Sequence, residues 1–132
     1  EQGTGPVVGV LPIAEYSHQT DGICVIGFGV CRGKGYGALD GVYCFGDWGS
    51  GKVWGVARDK GGKWQMQELL DTTLKFTGAG EDESGTIYVT DAPAGYGGPV
   101  NPYDNPRGNL WKLVPADQAP AGSATAPLEP KK

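Results

Sequence analysis

One pattern occurs twice in this chain, 44 residues apart: Gly41-Val42-Tyr43-Cys44-Phe45-Gly46-Asp47 and Gly85-Thr86-Ile87-Tyr88-Val89-Thr90-Asp91. Each copy is followed by a turn glycine and a segment with tryptophan at its centre, Gly51-Lys52-Val53-Trp54-Gly55-Val56 and Gly108-Asn109-Leu110-Trp111-Lys112-Leu113. A strand-rich repeat of about 40–50 residues is the period of β-propeller blades. A blade buries its faces only by stacking on other blades, and that limits what the chain can become. At about 45 residues per blade, 132 residues hold about two to three blades, whereas a closed ring takes at least about four. The expectation is an all-β chain of about two four-stranded antiparallel blades of a β-propeller, incomplete alone.

Glycine (24) and proline (10) make up about a quarter of the chain, a level at which disorder competes with folding. Four Trp, six Tyr and three Phe weigh the other way, so the glycines read as turn and bulge residues. Net charge is −4, with no stripe of Lys or Arg, which argues against a nucleic-acid partner. No apolar run reaches the ~18 residues of a membrane span. The chain opens on Glu1 with neither Met nor a signal-like segment, and reads as a processed form or an excerpt. Cys24, Cys31 and Cys44 fit no CxxC pattern. Cys31 and Cys44 fall on consecutive strands, where a cross-strand disulfide and two buried thiols both remain open.

Along the chain, residues 1–22 read as an N-terminal arm and loop, 23–114 as the blade region and 115–132 as an Ala/Pro-rich tail or linker. The first unit has four strands, Ile23–Arg32, Val42–Asp47, Lys52–Arg58 and Trp64–Leu70, with a turn-rich connection over Gly33–Gly41. A hairpin turn centres on Gly61-Gly62. The second unit has three strands, Lys75–Glu81, Thr86–Asp91 and Asn109–Val114, and its outermost strand is missing. The loop from Ala92 to Arg107, with Tyr96, Tyr103 and Arg107, is long enough to serve as a recognition surface or simply to cross between strands.

The order of motifs resembles a known family. Tyr16-Ser17-His18, Gly22 and Val25-Ile26-Gly27-Phe28-Gly29-Val30-Cys31-Arg32-Gly33 are similar to Y-x-H…G…V-x-G-G-x-V-Y-R-G. Leu39 to Trp54 is similar to L-x-G-x-Y-x-F-G-D-x-x-S-G-R-[IV]-W, the most specific of the three motifs. Gly80 to Asp91 is similar to F-G-E-D-x-x-G-x-[IL]-Y-[VL]-x-D. Over residues 15–114 the chain thus resembles the C-terminal third of the glucose/sorbosone dehydrogenase-like family, whose members are six-bladed propellers. The resemblance implies a PQQ-dependent sugar (aldose or sorbosone) dehydrogenase ancestry and a periplasmic or extracellular location. It also implies that the catalytic His and the calcium ligands belong to blades outside this chain, which would then be inactive alone. The alternative is a non-catalytic structural or interaction subunit of a larger extracytoplasmic complex. Either way, a protein partner or further copies would be needed to complete the propeller.

The quinone carries three carboxylates, so basic groups are expected at its site. The resemblance puts His18, Lys52 and Lys75 forward as cofactor-binding residues, and offers Thr77 where the enzymes carry arginine. It gives this chain no catalytic residue and no metal ligand. The bland readings are a loop histidine and two solvated strand-edge lysines. Asp47 and Asp91 hold equivalent repeat positions, which points to strand-end carboxylates accepting turn N–H groups. Glu81-Asp82-Glu83 reads as a cation site or a solvated turn. Trp54 and Trp111 read as packing residues, and the loop residue Trp48 as a contact for a ligand or partner.

Overall fold

The computed structural model describes residues 9–92, 108–121 and 123. Among the described residues seven strands follow in chain order: β1 (Val25–Val30), β2 (Tyr43–Asp47), β3 (Lys52–Arg58), β4 (Trp64–Asp71), β5 (Lys75–Glu81), β6 (Ile87–Ala92) and β7 (Asn109–Lys112). They form two open antiparallel sheets, β1-β2-β3-β4 and β5-β6-β7. This is the expected all-β, propeller-like arrangement of one four-stranded unit and one three-stranded unit, incomplete alone. No helix among the described residues is long and apolar enough to cross a membrane.

Alternation sorts the side chains of the first sheet onto two faces. Phe28, Cys44 and Val53 point toward the second sheet and form one core with Phe76, Ile87 and Val89. Phe45, Trp54 and Val56 point the other way and form a second cluster, overlain by Ala14, Tyr16 and Trp64. The sheets meet most closely along β1 and β5. Gly46 makes this approach possible: a Cβ there would lie 2.6 Å from Phe28 Cζ and 2.7 Å from Phe76 Cδ2. The two rings stack edge to face, with centroids 5.2 Å apart, in the space the glycine leaves.

β1 is irregular where the sequence crowds glycines. The register with β2 shifts between Gly27 and Gly29, and Gly29 takes φ +132°, open to glycine at little cost. The Asp59–Lys63 hairpin turn is present: Asp59 N–H donates to the Lys63 carbonyl, and the Asp59 carboxylate accepts from the N–H groups of Gly61 and Lys63. The ambiguous segment at Gln65–Leu70 is strand, paired with β3 and lying at the sheet edge.

Three expectations need correction or sharpening. The connection after β1 is not simple turn but a 3-10 segment, Lys34–Leu39, kinked at Gly37. It buries Tyr36, whose hydroxyl oxygen accepts the Ile87 N–H at 2.6 Å and ties the connection to the second sheet. Trp111 is not a buried packing residue. It pairs with Val89, yet 37 % of it is exposed, because β7 contacts no strand but β6 and lies at the sheet edge farthest from the β1–β5 seam. The tail begins with a short 3-10 turn, Ala116–Gln118, and the Gln118 amide donates to the Gly35 carbonyl. The recognition reading of Tyr96, Tyr103 and Arg107 lies outside the described residues.

All three cysteines are free. Cys31 and Cys44 are fully buried with sulfurs 3.5 Å apart. Contact with Cys31, and then burial, push the Cys44 thiol up. Of the two arrangements left open by the sequence, the structure has the pair of buried thiols. A thiol reagent is therefore expected to modify one cysteine rapidly in the folded protein, the exposed Cys24, and all three after denaturation. Two unreactive cysteines in the denatured, unreduced chain would mean a disulfide instead.

Candidate functional site

β2, β4 and β6 end where β1, β3, β5 and β7 begin. The register places Val25 opposite Asp47, Lys52 opposite Asp71 and Lys75 opposite Ala92. The loop before β1, with His18, comes to this same end, since Asp21 lies 3.9 Å from Lys52 Nζ. Thus His18, Lys52 and Lys75, far apart in sequence, share one end of the sheets.

Asp47 organises this end. It is fully buried. Its Oδ2 accepts the Tyr16 hydroxyl at 2.9 Å and the N–H groups of Ile23 and Cys24 at 2.8 and 2.6 Å, while Oδ1 accepts the Ser50 N–H at 2.7 Å. Burial alone would raise its pKa. The hydrogen bonds, led by those from Ser50 and Cys24, outweigh burial and hold the carboxyl below its usual 3.8. Gly22 lies directly against the carboxylate, with no room for a Cβ. Burial, reinforced by Asp47, pushes the Tyr16 hydroxyl up to about 12, so Tyr16 remains a donor. Asp91 repeats the role, accepting among the described residues the Asn109 N–H at 2.7 Å and the Asn109 side-chain amide at 3.1 Å. Both aspartates are therefore structural, as their repeat positions suggest.

The lysines are engaged. Lys52 Nζ lies 3.1 Å from Glu68 Oε2, and that hydrogen bond raises its pKa. Lys75 donates to the Gly49 carbonyl, and its ammonium sits 5.4 Å from the centre of the Trp48 ring. Trp48 thus has a cation from this chain on its face. His18 is exposed, with its ring centroid 6.1 Å from that of Tyr16. Thr77 points away from this cluster and bonds Thr90 at 3.0 Å between hydroxyl oxygens. Asp21, Glu68 and Asp71 surround Lys52. A tricarboxylate at Lys52 would compete with these acids, whereas Lys75 is held by a carbonyl and an aromatic ring and by no carboxylate in the ion pairs among the described residues. Asp82 is spent on its own turn, accepting the N–H groups of Ser84 and Thr86, and Glu81 pairs with Arg32 at 3.4 Å.

A different feature is more pronounced. The face of the first sheet turned away from the second is aromatic and only partly covered. Tyr16 stacks on Trp54 with centroids 5.0 Å apart, and Trp54 on Phe45 at 5.4 Å. Beside this stack, Ile13, Tyr16, Val25, Tyr43, Phe45 and Val56 line an open groove of about 470 Å³. The repeat shows what this face corresponds to. Tyr43, Phe45 and Asp47 match Ile87, Val89 and Asp91 in sequence, and Val25 and Phe76 pair with the two equivalent aspartates. In the second sheet these positions are sealed against the first: Phe76 is 4 % exposed and Ile87 0 %. In the first sheet Val25 is 58 % exposed and Tyr43 39 %. One face is therefore used in one copy and open in the other.

The groove is not anticipated by the sequence reading; the one trace of it in the repeat is the polar-tipped Tyr43 where the second copy has the wholly apolar Ile87. No protein-family model matches the chain, and no solved structure shows significant similarity to it.

Proposed function

We propose that the chain is a docking unit of a larger β-propeller assembly, non-catalytic by itself, and that it works through the open face of its first sheet. The observation that carries this reading is the exposure of Val25 and Tyr43 at positions that the second sheet buries at the β1–β5 seam. Burying a large apolar side chain is worth about 1.5–3 kcal/mol, so Val25, Tyr43 and Ile13 together supply a driving force that survives part of the cost of association. The family resemblance adds ancestry among the sugar dehydrogenases and an extracytoplasmic setting, periplasmic or extracellular.

The test is the mass of the particle isolated under native conditions. It is expected to exceed the 13.8 kDa of the chain. The double substitution Val25→Lys, Tyr43→Lys is expected to release the chain as a folded monomer with a modest loss of thermal stability, because Val25 is mostly exposed while Tyr43 gives up its place over Gly27 and beside Phe45. A native particle that is a monodisperse monomer removes the proposal.

A second reading, quinone-dependent sugar oxidation completed by a partner, rests on the gathering of His18, Lys52 and Lys75 at one end of the sheets. Its test is reconstitution with PQQ and calcium, with and without the co-purifying component. No dye reduction by aldoses and no shift of the quinone spectrum would remove it.

A further inference from the structure

Cys31 and Cys44 lie on the seam side of the first sheet, in one core cluster with Phe28, Tyr36 and Ile87, and away from the open face. Cys31 continues the pairing just past the end of β1: its N–H donates to the Val42 carbonyl, and its carbonyl accepts the Gly41 N–H. Cys44 stands on β2 directly across from Gly29, which has no side chain to come between the two sulfurs. Those sulfurs are 3.5 Å apart, and neither residue is exposed. A disulfide bond is about 2.05 Å long, so closing one takes a movement of about 1.5 Å shared between two side chains. The third cysteine, Cys24, is exposed and cannot compete for either. It precedes β1, and seven residues of extended chain put it about 23 Å from Cys31.

We infer that Cys31 and Cys44 form a thiol–disulfide site, at which a low-molecular-weight disulfide converts the two thiols into a bond joining the end of β1 to β2 across the Lys34–Leu39 connection. The step is a double exchange. The Cys31 thiolate attacks one sulfur of the incoming disulfide and expels the other half as a thiolate. The Cys44 thiolate then attacks the Cys31 sulfur and expels the second half. The chain loses two hydrogens, and the incoming disulfide leaves as two thiols. Cys31 is the first nucleophile because contact with Cys44 lowers its pKa, while contact with Cys31, and then burial, raise that of Cys44.

Burial sets the route. The oxidant reaches Cys31 only when the 3-10 segment opens, and the latch on that segment is Tyr36, whose hydroxyl oxygen accepts the Ile87 N–H. The bond then holds the segment's two ends together. It closes a loop between residues 13 apart, which restricts the unfolded chain while asking little of the folded one.

The experiment equilibrates the full chain carrying Cys24→Ser in buffers of reduced and oxidised glutathione, folded and in concentrated urea. Intact mass and a non-reducing peptide map read the products. The balance is approached from both sides, from the reduced chain and from chain oxidised in urea and then refolded. The folded chain is expected to give one species lighter by two hydrogens, with Cys31 linked to Cys44. Its equilibrium constant against glutathione is expected to be at least about tenfold higher than in urea. Tyr36→Phe, which loses the acceptor of the Ile87 N–H, is expected to oxidise severalfold faster in the folded state. A folded equilibrium constant no higher than that in urea would overturn the site, as would an end point of two free thiols or a glutathione adduct on the folded chain. An unchanged rate in folded Tyr36→Phe would overturn the route through the 3-10 segment.

Discussion

Asp47→Ala is expected to destabilise the fold by about 3–5 kcal/mol, a large share of the total for a small domain. The substitution removes one acceptor group and strands four donors: the Tyr16 hydroxyl and the N–H groups of Ile23, Cys24 and Ser50. Bonds to a charged acceptor are worth about 1.5–3 kcal/mol each, and water entering the gap restores only part. Urea denaturation measures the loss. Because Tyr16 also stacks on Trp54, the change is expected to loosen the arm over the aromatic face. Asp91→Ala removes the acceptor of the Asn109 backbone and side-chain N–H groups and is expected to cost at least about 1–2 kcal/mol.

The same site sets a pH dependence. The folded pKa of Asp47 lies below its ordinary 3.8. Its stabilisation is therefore fully present above the unfolded value of about 3.9 and is lost as pH falls through the folded value. Asp47→Asn keeps the shape and cannot titrate. The stability gap between wild type and Asp47→Asn is expected to be constant near neutrality and to close as the solution becomes more acidic than about pH 4. A gap that widens in acid would show that Asp47 is not held ionised by its partners.

Gly46→Val is the second large effect, expected at about 3 kcal/mol or more. The added Cβ would sit within 2.7 Å of both Phe28 and Phe76. Both rings are buried, so neither swings aside without parting the β1–β5 seam. Gly35, which has nothing within 4 Å of a built Cβ and no positive φ, is the control: Gly35→Ala is expected to change stability by less than about 0.5 kcal/mol. Equal effects at the two positions would mean that the seam tolerates overpacking and that the glycine is not what lets the sheets meet.

The strands were legible because their signals are local. Alternation over Tyr43–Asp47 and Lys52–Arg58, and turn glycines at Gly41, Gly51, Gly62 and Gly85, mark each element within a few residues. The 3-10 segment was not legible, because Lys34-Gly35-Tyr36-Gly37 has no helical periodicity. Its stability comes from burial of Tyr36 and a bond to Ile87, 51 residues away. The aspartate roles could be read from the repeat, but the four donors to Asp47 could not, since three of them lie 23 to 31 residues upstream. His18, Lys52 and Lys75 were legible as polar groups. That Glu68 and Asp21 neutralise Lys52 depends on the β3–β4 register and on the path of the 16–24 loop. The open face is different again. Its residues are visible in the sequence, but its exposure is a property of what lies beside the sheet.

That exposure is therefore the quantity to measure. Hydroxyl-radical footprinting of the natively isolated particle, against the isolated chain, reads Val25, Tyr43 and Met66 on the open face. All three are exposed in the chain alone. The expected result is severalfold protection of Val25, Tyr43 and Met66 in the particle. If Val25 and Tyr43 in the particle label as fast as in the isolated chain, no sheet docks on this face and the central claim is wrong.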